Sequence, residues 1–412
     1  MKELPKGWKW VRLGDVSDNV LKVKKFEKKK GNFIYLDIGS INNKTHKLIS
    51  HKEYDWTQAP SRAQQIIRVG DILFSTVRTY LKNTAKVDNP IYNDQIASTG
   101  FAVIRPLKER VVDKYIFYYS ISNIFVESLN KLQTGSSYPA VRDSDVFNQM
   151  IPICEIAEQR RITDKIEELF SELDEGIENL KKAQAQLKIF RQAVLKYAFE
   201  GRLTNKNVKD GELPEGWKWV KVNDISNKIT DGEHLRPNII DDGIPFLSAK
   251  DVRDHDVVFD ECLYISKEDS IKFRKRCNPE KGDILIVSRG ATVGRSCIVK
   301  STQVFCLLGS VILIKPKVCV EALYLSYLMK SPFILNKLIL LSGSTAQQAI
   351  YLRDIKNILV PICPKEEQIR IVNEIESRLS VCDSIEKEIT QGLNQSEHLR
   401  QSILKQAFGG RL

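Results

Sequence analysis

Between Glu155 and Gly201 the apolar residues keep a seven-residue beat. Ile166, Leu173, Leu180, Leu187 and Val194 sit seven apart, and Ile162, Leu169, Gly176, Ala183, Phe190 and Tyr197 fall three or four positions from them. That is the seam of a long amphipathic helix built to pair with another helix. At about 1.5 Å per residue it would span roughly 65 Å, too long to be hidden inside one domain, so it reads as a spacer. The chain closes on a second version displaced by 209 residues: "IPICEIAEQRRITDKIEE" from Ile151 returns as "VPICPKEEQIRIVNEIES" from Val360, and "RQAVLKYAFEGRL" from Arg191 as "RQSILKQAFGGRL" from Arg400. The expected pairing seam is Ile162, Ile166, Leu169, Leu173, Leu180, Leu187, Phe190 and Val194 against Ile371, Ile375, Ile385, Ile389, Leu399 and Ile403. At its centre, Leu180 and Leu187 are expected to be completely or nearly buried.

Outside the helices the pattern changes to short β-rich runs, and these repeat too. "LPKGWKWVRLGDV" at Leu4 reopens as "LPEGWKWVKVNDI" at Leu213, after the polar, aperiodic stretch "LTNKNVKDGE" that reads as a linker. Within the first unit, "FIYLDIGSI", "GDILFSTVR" and "FAVIRP" read as strands, followed by a helical stretch from Tyr115 to about Leu132. The second unit repeats the order with "IPFLSAKDV", "GDILIVSR", "SCIVK" and "SVILIKP", then a helical stretch interrupted near Pro332. The expected fold is α+β, with two similar mixed domains alternating with two long helices that pair as an antiparallel coiled coil, an internal pseudo-two-fold repeat. The expected boundaries are a domain over 1–150, a helical spacer over 151–205, a second domain over 206–359 and a second spacer over 360–412.

Charge sharpens this picture once it is divided by region. The net charge is +11 over 412 residues, and all of the excess lies outside the helices: +9 in 1–150 and +4 in 204–359, against −1 in each helical stretch. Basic globular parts on near-neutral helices suggest that the former meet a polyanion and the latter meet protein. The eight cysteines are scattered without metal spacing, the first residues lack the apolar core of a signal peptide, and no apolar run approaches the ~18 residues of a membrane span. A cytoplasmic protein with reduced thiols and no bound metal is expected.

Motifs for catalysis are missing. "GATVGRS" at Gly290 only faintly resembles a phosphate loop, because its glycines are four apart and Arg295 stands where the lysine belongs; no metalloprotease, hydrolase or amino-methyltransferase motif occurs. The candidate site residues are therefore those that would touch a nucleic acid. Lys25, Lys28, Lys29 and Lys30 form a basic run suited to phosphates. Arg78, Thr79, Tyr80 and Lys82 follow a predicted strand, as Arg289 does in the second unit. Ser136, Ser137, Tyr138 and Arg142 lie before the first long helix, at the place that Thr345, Gln347 and Gln348 occupy before the second. Asp231, His234 and Arg236 lie in "TDGEHLRP", with Lys250 in "SAKD". Arg, Gln and Lys on loops after strands are the mixture that reaches base edges and backbone.

Taken together, "GDILIVSRGATVG", "TDGEHLRP", "IPFLSAKD", "GSTAQQAI", "VPICPKEEQIRIV" and "RQSILKQAFGGRL", in a chain of two domains alternating with two long helices, resemble the specificity subunits of type I restriction-modification systems. The resemblance covers the whole chain. It implies a non-catalytic subunit whose target recognition domains each bind one half of a bipartite site in double-stranded DNA, with helices that fix the spacing. It also implies partners: two modification subunits that methylate adenine with S-adenosylmethionine, and restriction subunits that cleave with ATP and Mg, no cofactor being bound by this chain. "FSTVRTYLKN" departs from the Arg-Gly pattern at Arg289. A scaffold holding two basic protein-binding modules is the alternative.

Overall fold

The structure, a computed structural model, describes residues 4–23, 31–205, 207–209, 211–235, 237–343 and 349–412. The chain forms two compact units, the first made of 1–180 together with 390–412 and the second of 181–389. These units cut the chain differently from four consecutive segments, because each long helix contributes one half to each unit. The central helix runs over Ile156–Phe199 and the last over Lys365–Ala407.

In the first unit Lys9–Arg12 pairs antiparallel with Met150–Ile153, Trp10 facing Pro152. A four-stranded sheet has the order Ser17–Asp18, Phe101–Pro106, Ile72–Ser75, Thr84–Lys86, and a second has Lys52–Asp55, Asn32–Leu36, Gln95–Ser98, Ala63–Ile67. The second unit repeats the register. Lys218–Lys221 pairs with Leu359–Ile362, Trp219 facing Pro361, and the antiparallel sheet runs Ser226–Asp231, Val311–Pro316, Ile284–Val287, Ser296–Ile298. Its other sheet has three strands, Leu263–Ile265, Ile244–Leu247 and Cys306–Leu307. Mixed sheets and helices on one repeated scaffold are the expected α+β class.

The Gly-Asp pairs that open Ile72–Ser75 and Ile284–Val287 show how sequence makes the turn. Gly70 and Gly282 take φ of +96° and +93°, a conformation open to glycine without a Cβ clash. The next carboxylate accepts the turn's own amide, Asp71 from Arg68 N at 2.8 Å and Asp283 from Glu280 N at 2.8 Å. Each buried acid then meets a cation from the neighbouring strand, Arg105 at 2.7 Å in the first unit and Lys315 at 2.7 Å in the second.

The stretch expected to be one helix over Tyr115–Leu132 is two, Asp113–Ser120 and Asn123–Asn130. The Ser122 hydroxyl accepts from Phe125 N and restarts the chain as an N-cap. Ser331 does the same ahead of Pro332–Ser342, where the proline made the break legible.

Two glutamines, spaced by the repeat, tie the start of each long helix to its domain. Buried Gln159 accepts from Val112 N at 2.9 Å and donates to Cys154 O at 2.8 Å; buried Gln368 accepts from Glu321 N at 2.8 Å and donates to Cys363 O at 2.8 Å. The far ends of the helices complete the cores. In the first unit Ile403, Leu404, Ala407 and Phe408 pack with Ile162, Ile166 and Phe170 under Tyr115; in the second Val194, Leu195, Ala198 and Phe199 pack with Ile371, Val372 and Ile375 under Tyr324.

Within each unit the two helices run antiparallel. In the first, Phe170 stacks under Arg400, Asp174 pairs with Arg400, and Leu180 lies against Gly392. In the second, Arg191 bridges Asp383 at 2.7 Å and Glu386 at 2.8 Å, and Thr204 and Asn205 reach Glu367 at 3.0 and 2.9 Å.

Several seam expectations need correction. Phe190, Ile385 and Leu399 are 47, 41 and 52 % exposed, and Leu180 and Leu187 are half-buried, not fully buried. On the central helix the fully buried seam positions, Ile162, Ile166, Phe170 and Val194, lie where the helix packs into a unit's core, and no residue from 171 to 193 is more than half-buried. On the last helix the buried column is Ile375, Cys382, Ile389, Ser396 and Ile403, which puts Ile385 and Leu399 on its flank. Mid-seam, Leu180 lies against Gly392, and both leucines keep part of their surface in water.

Candidate nucleic-acid interface

The clearest site geometry lies beyond the end of the second strand of each repeated sheet. In the first unit the chain leaving Ile72–Ser75 is clamped by the segment that precedes the long helix: Val77 bridges Ala140, Arg78 N donates to Pro139 O at 2.7 Å, and Val141 N donates to Thr76 O at 2.9 Å. In the second unit Arg289 bridges Ala349, and Ile350 N donates to Ser288 O at 2.9 Å. Two loops some sixty residues apart in sequence thus meet at the same place in both units. The scaffold fixes their backbones and leaves the side chains free to differ.

The first unit brings Arg78, Ser136, Ser137 and Tyr138 together on this double loop, Arg78 Nη2 donating to Ser137 O at 3.1 Å and its guanidinium lying 4.7 Å from the Tyr138 ring centre. Tyr80, Ser136, Ser137, Tyr138 and Arg142 are exposed. Arg142 also starts the short helix Asp143–Phe147, its amide donating to Asp145. Thr79 is withdrawn from the surface: it is 1 % exposed, donates to Asn130 Oδ1 at 2.6 Å and accepts from Gln133, so it holds the loop and does not face a ligand. Lys82 donates to Asn123 Oδ1 at 2.6 Å, and burial pushes its ammonium below the usual lysine range.

In the second unit the candidates fall into separate groups. Arg289 is exposed on the double loop. Asp231, at the end of its strand, is flanked by His234 Nε2 at 2.8 Å and by Arg276. Lys250 is exposed, its Nζ donating to Glu261 O at 2.9 Å. Lys25, Lys28, Lys29, Lys30, Arg236, Thr345, Gln347 and Gln348 lie outside the described residues. Arg276 was missed in the sequence, although it ends the basic run "KFRKR" at the close of the helix Lys267–Arg276, a signal that could have singled it out. Asn130 and Gln133, which hold Thr79, carried no such signal. Among the described residues no group of three or more His, Cys, Asp or Glu could hold a metal ion, and no helix is long and apolar enough to cross a membrane.

A family model described as "Type I restriction modification DNA specificity domain" matches residues 5–182 and again 214–395. The chain belongs to the type I restriction-modification specificity-subunit family. It is 30% identical to the EcoBI specificity subunit of Escherichia coli over 84% of this chain and 80% of that one, and 28% identical to the EcoKI specificity subunit of Escherichia coli K12 over 75% and 68%. Among solved structures, the HsdS subunit of Thermoanaerobacter tengcongensis is similar at 30% identity with a TM-score of 0.69, covering 100% of this chain and 99% of that one. A chain from a structure of complex assembly and conformational transition in the type I R-M system covers 100% of both chains at 30% identity with a TM-score of 0.80. Members of this specificity-subunit family are non-catalytic DNA-recognition subunits, which favours DNA reading over the protein-scaffold alternative.

Proposed function

We propose that this chain reads a bipartite target in double-stranded DNA and directs adenine methylation and restriction to it. Each unit's globular part, 1–150 and 206–359, acts as a target recognition domain for one half-site, and the helical stretches 151–205 and 360–412 act as spacers that also receive partner subunits. Two modification subunits using S-adenosylmethionine and restriction subunits using ATP and Mg supply the chemistry in the cytoplasm. The observation that carries this reading is the double loop, held by the same backbone bonds in both units but bearing different side chains, Arg78 and Tyr138 in one and Arg289 in the other. One scaffold holding two different sets of side chains suits two different half-sites.

The test is selection from random DNA by the complex of this chain with its modification subunit, at several salt concentrations. A split consensus is expected, with affinity falling by orders of magnitude between roughly 50 and 200 mM salt. Salt-insensitive binding without sequence preference would overturn the reading.

A further inference from the structure

We infer that Arg78 and Tyr138 form one reading element, in which the tyrosine ring holds the guanidinium flat so that its free edge takes the N7 and O6 acceptors of a guanine in the first half-site. This deepens the DNA-recognition reading proposed above and rests on it.

Three observations carry it. First, Arg78 has φ 49° and ψ 56°, a left-handed conformation that costs an ordinary side chain energy; the repeat-equivalent position beyond the second unit's strand is Gly290, at φ +98°. The scaffold accepts glycine there, so arginine is held against its backbone preference. Second, the pose is not explained by bonding within the protein. Nη2 donates to Ser137 O at 3.1 Å, Nε is buried without an acceptor, so that only the outer Nη1–Nη2 edge is left for a ligand, and Arg78 makes no ion pair among the described residues. A carboxylate would have been the usual internal partner; among the described residues none pairs with this half-buried guanidinium. Third, the ring is 4.7 Å from the guanidinium carbon while Tyr138 itself is 72 % exposed, so the platform stands in solvent on a backbone clamped through Arg78 N and Pro139 O.

The chemistry then selects the ligand. With the tyrosine ring over the guanidinium the fork is confined on one face, and a confined fork suits coplanar acceptors, which the Hoogsteen edge of guanine offers in the major groove. A phosphate needs no such plane, and a lysine would serve it as well. Arg78→Lys therefore separates the two cases: it keeps the charge and removes the fork.

The experiment uses the full chain in complex with its modification subunit, carrying Arg78→Lys, Arg78→Gly, Tyr138→Phe or Tyr138→Leu, with selection from random DNA and affinity measured against salt. Arg78→Gly should melt with the parent, since the equivalent residue is glycine. Arg78→Lys and Arg78→Gly should lose the preference for one G·C pair in a single half-site and bind the parent target about 10- to 100-fold more weakly, the other half-site unchanged. Tyr138→Leu should relax the same pair, and Tyr138→Phe, which keeps the ring, should relax it less. Uniform weakening on all sequences, with a salt slope shallower by about one in Arg78→Gly and unchanged in Arg78→Lys, would make Arg78 a phosphate contact and overturn the inference. Unchanged selection by both Arg78 variants would overturn it as well. If the parent complex selects no split sequence, it is the underlying DNA reading that fails.

Discussion

The two units share their hydrogen-bond framework and differ in what they place on it. Trp10 faces Pro152 as Trp219 faces Pro361, Tyr115 donates to Pro152 O at 2.9 Å as Tyr324 donates to Pro361 O at 3.0 Å, and the buried acid of each Gly-Asp turn closes on a half-buried cation. Yet a four-stranded mixed sheet in the first unit is matched by three strands and the helix Lys267–Arg276 in the second, and the left-handed position holds Arg78 in one and Gly290 in the other. Agreement follows the buried polar groups, where an unmade bond is expensive. Divergence follows the rims, where a change of residue leaves nothing unsatisfied. A duplicated reader can therefore change its target without endangering its fold.

The largest effect should come from removing the helix end that completes a core. A fragment of residues 1–204 lacks Ile403, Leu404, Ala407 and Phe408, which pack under Tyr115, but it carries their repeat equivalents Val194, Leu195, Ala198 and Phe199. It should fold only as a symmetric dimer, each copy filling the other's core, and with its modification partner it should select an inverted repeat. Analytical ultracentrifugation decides this, and a well-folded monomer would show that the helix ends are dispensable.

Arg105→Ala comes next. It strands Asp71, whose side chain is 2 % exposed, and should cost about 3–5 kcal/mol in the first unit by denaturant melts. Lys315→Ala strands Asp283, whose carboxyl burial already raises, so the loss should shrink as pH falls and the stranded carboxylate takes a proton. A pH-independent loss would mean that Asp283 stays charged without its partner.

Position along the seam should matter in the same graded way. Ile166→Ala, at 0 % exposure, should cost about 2–5 kcal/mol, and half-buried Leu187→Ala nearer 1 kcal/mol. A larger loss at Leu187 would restore the fully buried seam that the heptad suggested.

The expected effect that vanishes at neutral pH is an acid sensitivity confined to the first unit. Burial pushes His46 down to about 4, opposed by its bond to Thr84 O and by Glu397, with Lys82 and Arg400 adding to the depression. In the unfolded chain the imidazole titrates near 6.5, so between those values the unfolded state binds a proton that the folded one excludes. Stability should fall as pH drops from about 6.5 towards 4, and His46→Gln should flatten that slope. Hydrogen exchange at pH 7.5 and 5 would check it; an identical slope in the variant would assign the sensitivity elsewhere.

The sequence by itself determined the repeat, most of its elements and the class of ligand. Seven-residue periodicity, the Gly-Asp turns and the paired glutamines are local or evenly spaced signals, because helices and tight turns are closed by residues near one another in the chain. The basic excess on the globular parts needed only counting. What the tertiary structure decided depends on contacts that no spacing encodes. Which stretches of the seam stay dry, and hence why Phe190, Ile385 and Leu399 face water, is set by where each helix packs into a core. That Ile403–Phe408 belongs to the core under Tyr115 is set by the return of the chain more than two hundred residues later. The meeting of Arg78 with Tyr138, and the withdrawal of neighbouring Thr79 to bind Asn130, are likewise set by loop closure: two adjacent residues with similar sequence credentials take opposite roles because the backbone turns left-handed between strand and loop.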